Sequence, residues 1–262
     1  MTNDVQILKN GYPMPAVGLG VYKIADEQME EVVRTALDAG YRAFDTAYFY
    51  GNEKALGSAL KHSNVERDEL FITSKLWNDY QGYDQTIEYF NKSLDNLGLD
   101  YLDLFLIHWP CENDQLYIES YKALEHLYEE GKIKAIGVCN FKIHHLEKLM
   151  KETKITPQVN QIELHPYFNQ QDVQDFCDEH DIKVTAWMPL MRNKGLLDDP
   201  VITDIAHRYD KTPAQIVLRW HLAHNRIIIP KSQTPKRIKE NFDIFDFNLE
   251  LTDVEIGRAS CR

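Results

Sequence analysis

Eight short runs rich in aliphatic, β-branched and aromatic residues alternate with charged stretches of helical period, and this alternation constrains the fold more than any other feature of the chain. In order the runs are GVY, RAFDT, LFITSKL, YLDLFLIHW, IKAIGVCN, PQVNQIEL, IKVTAWMP and RIIIPKS. Short apolar runs bounded by turn residues read as buried strands, and strands separated by helices are joined by crossovers, so they lie parallel. The intervening stretches carry helix signals. The first spans Asp26 to Ala39, with Asp26 as the expected N-cap and Gly40 just past the end. A shorter helix is expected from Lys54 to Lys61. The remainder are DQTIEYFNKSLDNLG, SYKALEHLYEEG, IHHLEKLMKE, QDVQDFCDEH, PAQIVLRWHLAH and PKRIKENF. Before the first strand, VQILKNGYPMPAVGLG reads as a small β-hairpin turning at Asn10-Gly11.

Two α/β architectures accept this rhythm. A doubly wound sheet that binds a dinucleotide carries GxGxxG after its first strand, and GLGVYKIADE has the wrong glycine spacing. The count of eight favours a (β/α)8 TIM barrel preceded by the short hairpin. No low-complexity segment or Pro/Ser linker divides the 262 residues, so residues 1–262 are expected to form a single barrel domain. Hydrophobic residues make up 44% of the chain, enough for a large core. The net charge of −12 repels nucleic-acid phosphates and anionic membrane surfaces, so neither is an expected partner.

Cys111, Cys139, Cys177 and Cys261 are widely spaced, with no CxxC and no zinc-ligand spacing, and read as reduced thiols. The opening MTNDVQILKNG has no signal-peptide pattern, and the longest apolar runs fall far short of a membrane span. A cytoplasmic protein is expected.

In a barrel of this kind the site lies at the C-terminal ends of the strands. Nearly every run ends in a polar residue or an indole: Asp45, Lys75, His108, Asn140, Gln161 with Glu163, Trp187, and Lys231 with Ser232. Each alone has an ordinary reading. Asp45 or Asn140 can cap a helix, Lys75 can be a solvated loop residue, and His108 a satisfied core histidine. Together they point to one polar mouth, because apolar runs rarely end in charge without partners. PKSQTPKRIKEN adds Lys231, Lys236, Arg237 and Lys239 after the last strand, where barrels commonly bind phosphate.

The motifs GLGVYK, ALDAGYRAFDTAYFYGNE, LFITSKLWN, SLDNLGLDYLDLFLIHWP, GKIKAIGVCNF, VNQIELHPY and IIIPKSQTPKRIKEN resemble, in order and spacing, those of the aldo-keto reductases. The resemblance covers nearly the whole chain. It is nearest in character to the bacterial branch that reduces diketogluconate and methylglyoxal. It implies a (β/α)8 barrel that binds NADPH or NADP+ at its mouth, in preference to NADH. It implies reduction of small aldehydes, α-keto aldehydes or keto-sugar acids, and a monomer that needs no partner beyond its small carbonyl substrate.

Residue by residue, the resemblance implies a catalytic group of Asp45, Tyr50, Lys75 and His108. Tyr50 would act as general acid in reduction and general base in oxidation, Lys75 would lower its pKa toward the working range, Asp45 would hold Lys75, and His108 would orient the carbonyl. These roles suit a phenol whose pKa is ordinarily about 10. Cys139, Asn140, Gln161, Trp187 and Leu190 match the surroundings of the nicotinamide. Lys231, Ser232 and Arg237 match the 2′-phosphate pocket, and Glu240 and Asn241 the adenine side. Tyr22, Trp77, His108 and Trp109 match the substrate pocket. No metal is implied.

Three departures stand out. Cys139 replaces a common serine, so one cofactor contact is expected to weaken. Trp187 replaces a common tyrosine, as in bacterial members that act on keto-sugar acids. The ending GRASCR, residues 257–262, reads as a truncated or non-native end, from which an open pocket and broad specificity are expected. Tyr48 is expected to pack or line the pocket, and Trp220 to be core. The other histidines, His144, His145, His180, His207, His221 and His224, suggest no common site. A rival reading is a cofactor-binding, redox-sensing regulatory subunit with little turnover. A metal-dependent or hydrolytic barrel would need clustered ligands or paired carboxylates at the mouth, where only Asp45 and Glu163 are placed.

Overall fold

A computed structural model describes residues 5–254. The ending GRASCR lies outside the described residues. The chain opens with an antiparallel pair, β1 (Val5–Ile7) and β2 (Pro13–Pro15), which turns through Asn10-Gly11 as the sequence suggests. Eight parallel strands follow: β3 (Gly18–Gly20), β4 (Ala43–Asp45), β5 (Phe71–Leu76), β6 (Leu102–Ile107), β7 (Ile133–Cys139), β8 (Val159–Glu163), β9 (Lys183–Trp187) and β10 (Ile227–Ile228). They pair in sequence order from β3 to β10. The two edges then meet: Ile228 N donates to Ala16 O at 2.9 Å, and Gly20 N to Pro230 O at 3.2 Å. The sheet therefore closes into the expected (β/α)8 barrel.

The first barrel strand lies on Gly18–Gly20, just before the expected run GVY. Two close contacts accompany the shift. A side chain at Gly20 would meet Ile229 O at 3.0 Å and one at Gly18 would meet Ala43 at 3.2 Å, so glycine lets this edge of the barrel pack closely. Beyond Val21 the chain leaves the sheet, and Lys23 adopts a left-handed φ of 56°.

Helices cover the barrel: α1 (Asp26–Ala39), α2 (Glu53–Lys61), α3 (Tyr83–Leu97), α4 (Asp114–Glu129), α5 (Ile143–Glu152), α6 (Gln171–Glu179), α7 (Pro200–Tyr209), α8 (Pro213–Ala223), α9 (Pro235–Phe242) and the short α10 (Leu251–Val254). The first presents Met29, Val32, Val33 and Ala36 to the sheet at helical spacing and ends at Gly40. Its N-cap is Ala25; Asp26 sits in the first turn, where a carboxylate complements the helix dipole instead of capping. The fourth helix begins at Asp114, well before the expected SYKALEHLYEEG, because Asn113 accepts from Gln115 N and starts it early. The seventh was not expected from periodicity. Asp199 caps it by accepting from Val201 N and Ile202 N, Pro200 opens it, and its Ile202, Ile205 and Ala206 pack against Ile216 and Val217 of α8.

Strand alternation divides the interior into layers. Ala43, Phe71, Leu104, Leu106, Ala135, Val159 and Ile227 point into the barrel, joined from below by Leu8 and Met14 of the hairpin. Two or four residues further along the same inward rows stand Asp45, Lys75, His108, Cys139 and Gln161. The outward rows, among them Phe44, Ile72, Phe105, Ile107, Ile136, Val138, Ile162, Val184 and Ala186, pack under the helices. The lower barrel is thus apolar and the upper layer polar, and the period of two brings the strand-end residues to one mouth.

Candidate active site

Lys75 has no exposed surface and Asp45 is 4% exposed. The Lys75 ammonium donates to Asp45 Oδ1 and, at 2.8 Å, to Thr46 O. The second oxygen of Asp45 accepts from Gln161 Nε2 at 2.8 Å. A buried ammonium without such partners would lose its proton. Burial does press the Lys75 pKa down, but the Asp45 carboxylate, followed by Tyr50, outweighs it, and the lysine is held charged with a pKa above its ordinary value.

Tyr50 stands on a 3₁₀ turn, Tyr48–Tyr50, that follows β4 and ends at Gly51, whose φ of 72° turns the chain into α2. The Lys75 ammonium lies 5.2 Å from the centroid of its ring. Tyr22 packs on the ring at 4.8 Å and His108 meets it edge-on at 5.7 Å. Tyr48 turns the other way. It makes edge contacts at 5.5 and 5.0 Å with Tyr80 and Tyr89, which stack on each other at 3.5 Å. Of the two phenols only Tyr50 reaches the buried charge pair.

The pKa of Tyr50 differs from the expectation of a lowered value. Burial pushes the phenol up to about 12, and the pull of Lys75 offsets only part of that. The reason is that Asp45 neutralises much of the lysine's field while the aromatic surroundings remove water. At neutral pH the group is a phenol beside a cation.

His108, 9% exposed, is pushed down to about 3 by burial and then by the Lys75 charge, so it is a neutral imidazole. Its Nδ1 is buried with no hydrogen-bond partner among the described residues. Asn140 does not cap α5, whose N-cap is Lys142. It holds a left-handed φ of 62°, which turns it back over the mouth; its Nδ2 donates to His108 O at 3.0 Å, and its Oδ1 accepts from Trp187 Nε1 at 2.8 Å. Asn140 therefore ties the ends of β6, β7 and β9 together. Lys23, Asn140 and Met188 all have positive φ just beyond strand ends, a clustering of backbone strain typical of ligand sites. Cys139 is fully buried, and burial raises its thiol pKa well above the ordinary value.

The basic run lies at the start of α9. This helix has no acidic residue in its first turn, and its N-cap, Thr234, makes no side-chain cap bond; instead Thr234 N donates to Ser232 Oγ at 3.1 Å. Lys236, Arg237 and Lys239 are exposed, and no carboxylate lies within ion-pair distance of them or of Lys231 among the described residues. Unpaired cations around a helix N-terminus fit a phosphate. Asn241 is buried on the same helix, and Glu240 accepts from Thr212 Oγ1 at 2.8 Å, so these two are fixed in place by the fold. Leu190 is partly buried against the core next to the loop after β9. The residues present thus fit a dinucleotide phosphate: an anion seat on α9 and, toward the barrel axis, a half-buried indole with Asn140 and Gln161 carboxamides.

Around Tyr50 the mouth is aromatic. Trp77 meets His108 edge-on at 5.3 Å, and Trp109 meets Trp187 at 6.4 Å. The Trp109 backbone is held by Gln81, whose Nε2 donates to Trp109 O at 2.7 Å. Phe49, 51% exposed, stacks on Trp77 at 3.8 Å; the sequence reading overlooked it, although its place between two tyrosines of the strand-end turn was a usable signal. Glu163 stands apart from Lys75, next to His165 Nε2 at 3.3 Å. Trp220 is 1% exposed, a core residue as expected.

Residues 16–259 match the model of the Aldo/keto reductase family. The chain is 49% identical over 253 residues to glyoxal reductase of Bacillus subtilis, covering 96% of this chain and 91% of that one. It is likewise 49% identical over 252 residues to methylglyoxal reductase DkgA of Escherichia coli, covering 95% and 91%. The crystal structure of a Gox0644 mutant in complex with NADPH superposes with a TM-score of 0.94 at 42% identity, covering 99% of this chain and 94% of that one. The chain belongs to the aldo/keto reductase family.

Proposed function

We propose that this aldo/keto reductase reduces small aldehydes, with α-keto aldehydes as the first class to test, to alcohols at the expense of NADPH. The observation that carries the reading is the half-buried Tyr50 phenol beside the buried Lys75–Asp45 pair in an aromatic barrel mouth. The names of the glyoxal and methylglyoxal reductase relatives support the substrate class, and the NADPH complex of the Gox0644 mutant supports the cofactor.

When bound, NADPH supplies the hydride that reaches the carbonyl carbon. The carbonyl oxygen must gain a proton, and Tyr50 is the donor. Its pKa of about 12 keeps it protonated at neutral pH. As it gives up the proton, the growing phenolate faces the Lys75 ammonium, whose attraction rises with the charge it stabilises; this is help delivered in the transition state rather than before it. Asp45 and Thr46 O hold Lys75 in place. Neutral His108 offers a hydrogen bond to the carbonyl oxygen without competing as the acid. Trp77, Trp109, Tyr22 and Phe49 present an aromatic surface to an apolar substrate body. Trp187, oriented by Asn140, would offer a flat face to the nicotinamide ring, and Arg237 with Lys231 and Ser232 would hold the 2′-phosphate.

The test is NADPH consumption with glyoxal, methylglyoxal, simple aldehydes and keto-sugar acids. Turnover with an α-keto aldehyde is expected, with NADH a poorer donor. Arg237→Ala should weaken NADPH binding by roughly tenfold, about 1.4 kcal/mol, and leave NADH binding nearly unchanged. Tight NADPH binding with no turnover of any carbonyl would favour the regulatory-subunit reading instead.

A further inference from the structure

The loop that carries Tyr50 leaves the barrel at Thr46 and enters α2 at Glu53, and its geometry depends on one buried side chain that touches no reacting atom. Asn52 is 3% exposed. Its Oδ1 accepts from Thr46 Oγ1 at 2.9 Å, and its Nδ2 donates to Val21 O at 2.9 Å. Its own carbonyl accepts from Leu56 N at 3.0 Å, which fixes it to the first turn of α2.

We infer that Asn52 is a positioning residue that sets Tyr50 relative to both Lys75 and Tyr22. The inference rests on Tyr50 being the proton donor. Thr46 and Asn52 are the two feet of the turn Tyr48–Tyr50, and the bond between them closes that turn at its base. Thr46 is also the residue whose carbonyl accepts from Lys75, at 2.8 Å. The same Asn52 amide reaches Val21, whose neighbour Tyr22 packs on the Tyr50 ring at 4.8 Å. One carboxamide thus links the foot of the acid's loop, the residue that anchors the cation, and the strand end that carries the acid's packing partner. A carboxylate lacks the donor for Val21 O, and a hydroxyl is too short to span both partners, so the job calls for an asparagine.

Placement of this kind governs rate more than binding, since displacement of a catalytic group by about 1 Å can cost on the order of 100-fold. Asn52→Ala should lower kcat by roughly 10- to 100-fold, with KM for the aldehyde and the dissociation constant for NADPH within about threefold of the parent. Thr46→Val removes the hydroxyl but keeps the shape and the backbone carbonyl; it should reproduce much of the kcat loss. Thr46→Ser keeps the donor and should restore the rate. The double variant should lose little more than Asn52→Ala alone, because Thr46→Val breaks only the Thr46–Asn52 bond that Asn52→Ala already removes.

A merely structural role is separated by Glu125→Ala, which removes a buried carboxylate far from the mouth that accepts from Lys154 N and Ile155 N, both at 2.6 Å. It should lower Tm and leave kcat unchanged. If Asn52→Ala folds poorly, Thr46→Val against Thr46→Ser carries the test alone. Parental kcat in Asn52→Ala or Thr46→Val, or a kcat loss matched by Thr46→Ser, overturns the inference. Tyr50→Phe run in parallel keeps the two levels apart: if it is fully active the proton-donor reading falls, whereas an inactive Tyr50→Phe with a fully active Asn52→Ala removes only the positioning role.

Discussion

Each end of the barrel holds a buried carboxylate, a cation and a tyrosine, and the order of the three groups differs. At the closed end the carboxylate is in the middle: Asp103 accepts from Tyr12 OH and from Arg67 Nη2, both at 2.7 Å, and from Ile72 N at 2.8 Å. At the open end the cation is in the middle: Lys75 donates to Asp45 and stands beside Tyr50. A phenol bonded to a carboxylate is locked in its protonated form, because ionisation would set two anions together; burial and then that bond raise the Tyr12 pKa well above its ordinary value. A phenol beside an ammonium gains an attraction on losing its proton. The same three groups thus make a plug at one end and, on the proposed reading, a proton donor at the other.

The largest effect that would break or sharpen this contrast comes from removing the cations. Among the described residues Lys75→Met leaves the buried Asp45 side chain only Gln161 as a partner, so it should cost ~3–5 kcal/mol in urea unfolding as well as most turnover. Arg67→Met leaves Asp103 its bonds to Tyr12 and Ile72, and Arg67 is itself partly exposed; the cost should be about 1–2 kcal/mol with turnover intact. Equal stability losses, or loss of turnover from Arg67→Met, would erase the distinction between the two ends.

A smaller effect is the pH dependence that His108 adds to stability. Its folded pKa of about 3 lies below the ordinary 6.5, so the unfolded chain binds the extra proton first. The stability it contributes is complete above about 6.5 and is lost as pH falls from there toward about 3. In unfolding measured from pH 8 to pH 4, His108→Asn should show a shallower decline than the parent. An unchanged slope would mean that the imidazole is not held neutral by burial and the Lys75 charge.

Much of this was legible in the chain itself, for a physical reason: period-two alternation carries Asp45, Lys75, His108 and Gln161 to the same end as their apolar predecessors Ala43, Phe71, Leu104 and Val159. The hairpin, the barrel strands and most helices follow from the same periodicities. What was not legible depended on contacts between distant segments. The first barrel strand, Gly18–Gly20, packs closely against Ile229 O and Ala43, which are remote in sequence. The helix Pro200–Tyr209 packs mainly on α8, so its own apolar pattern is weak evidence, although Asp199-Pro200 marked its start. The raised pKa of Tyr50 reflects burial that no local motif encodes. The bridging by Asn52 joins residues from two strand ends.

The central claim is that Tyr50, and neither Tyr48 beside it nor Tyr12 at the closed end, gives the proton. The direct measurement is single-turnover reduction of methylglyoxal by NADPH in Tyr50→Phe, Tyr48→Phe and Tyr12→Phe, with NADPH affinity measured for each. Tyr50→Phe should bind NADPH like the parent and react roughly 10²- to 10⁴-fold more slowly, while the other two stay within about twofold. A Tyr50→Phe rate near the parent's, or an equal loss in Tyr48→Phe, would contradict the account.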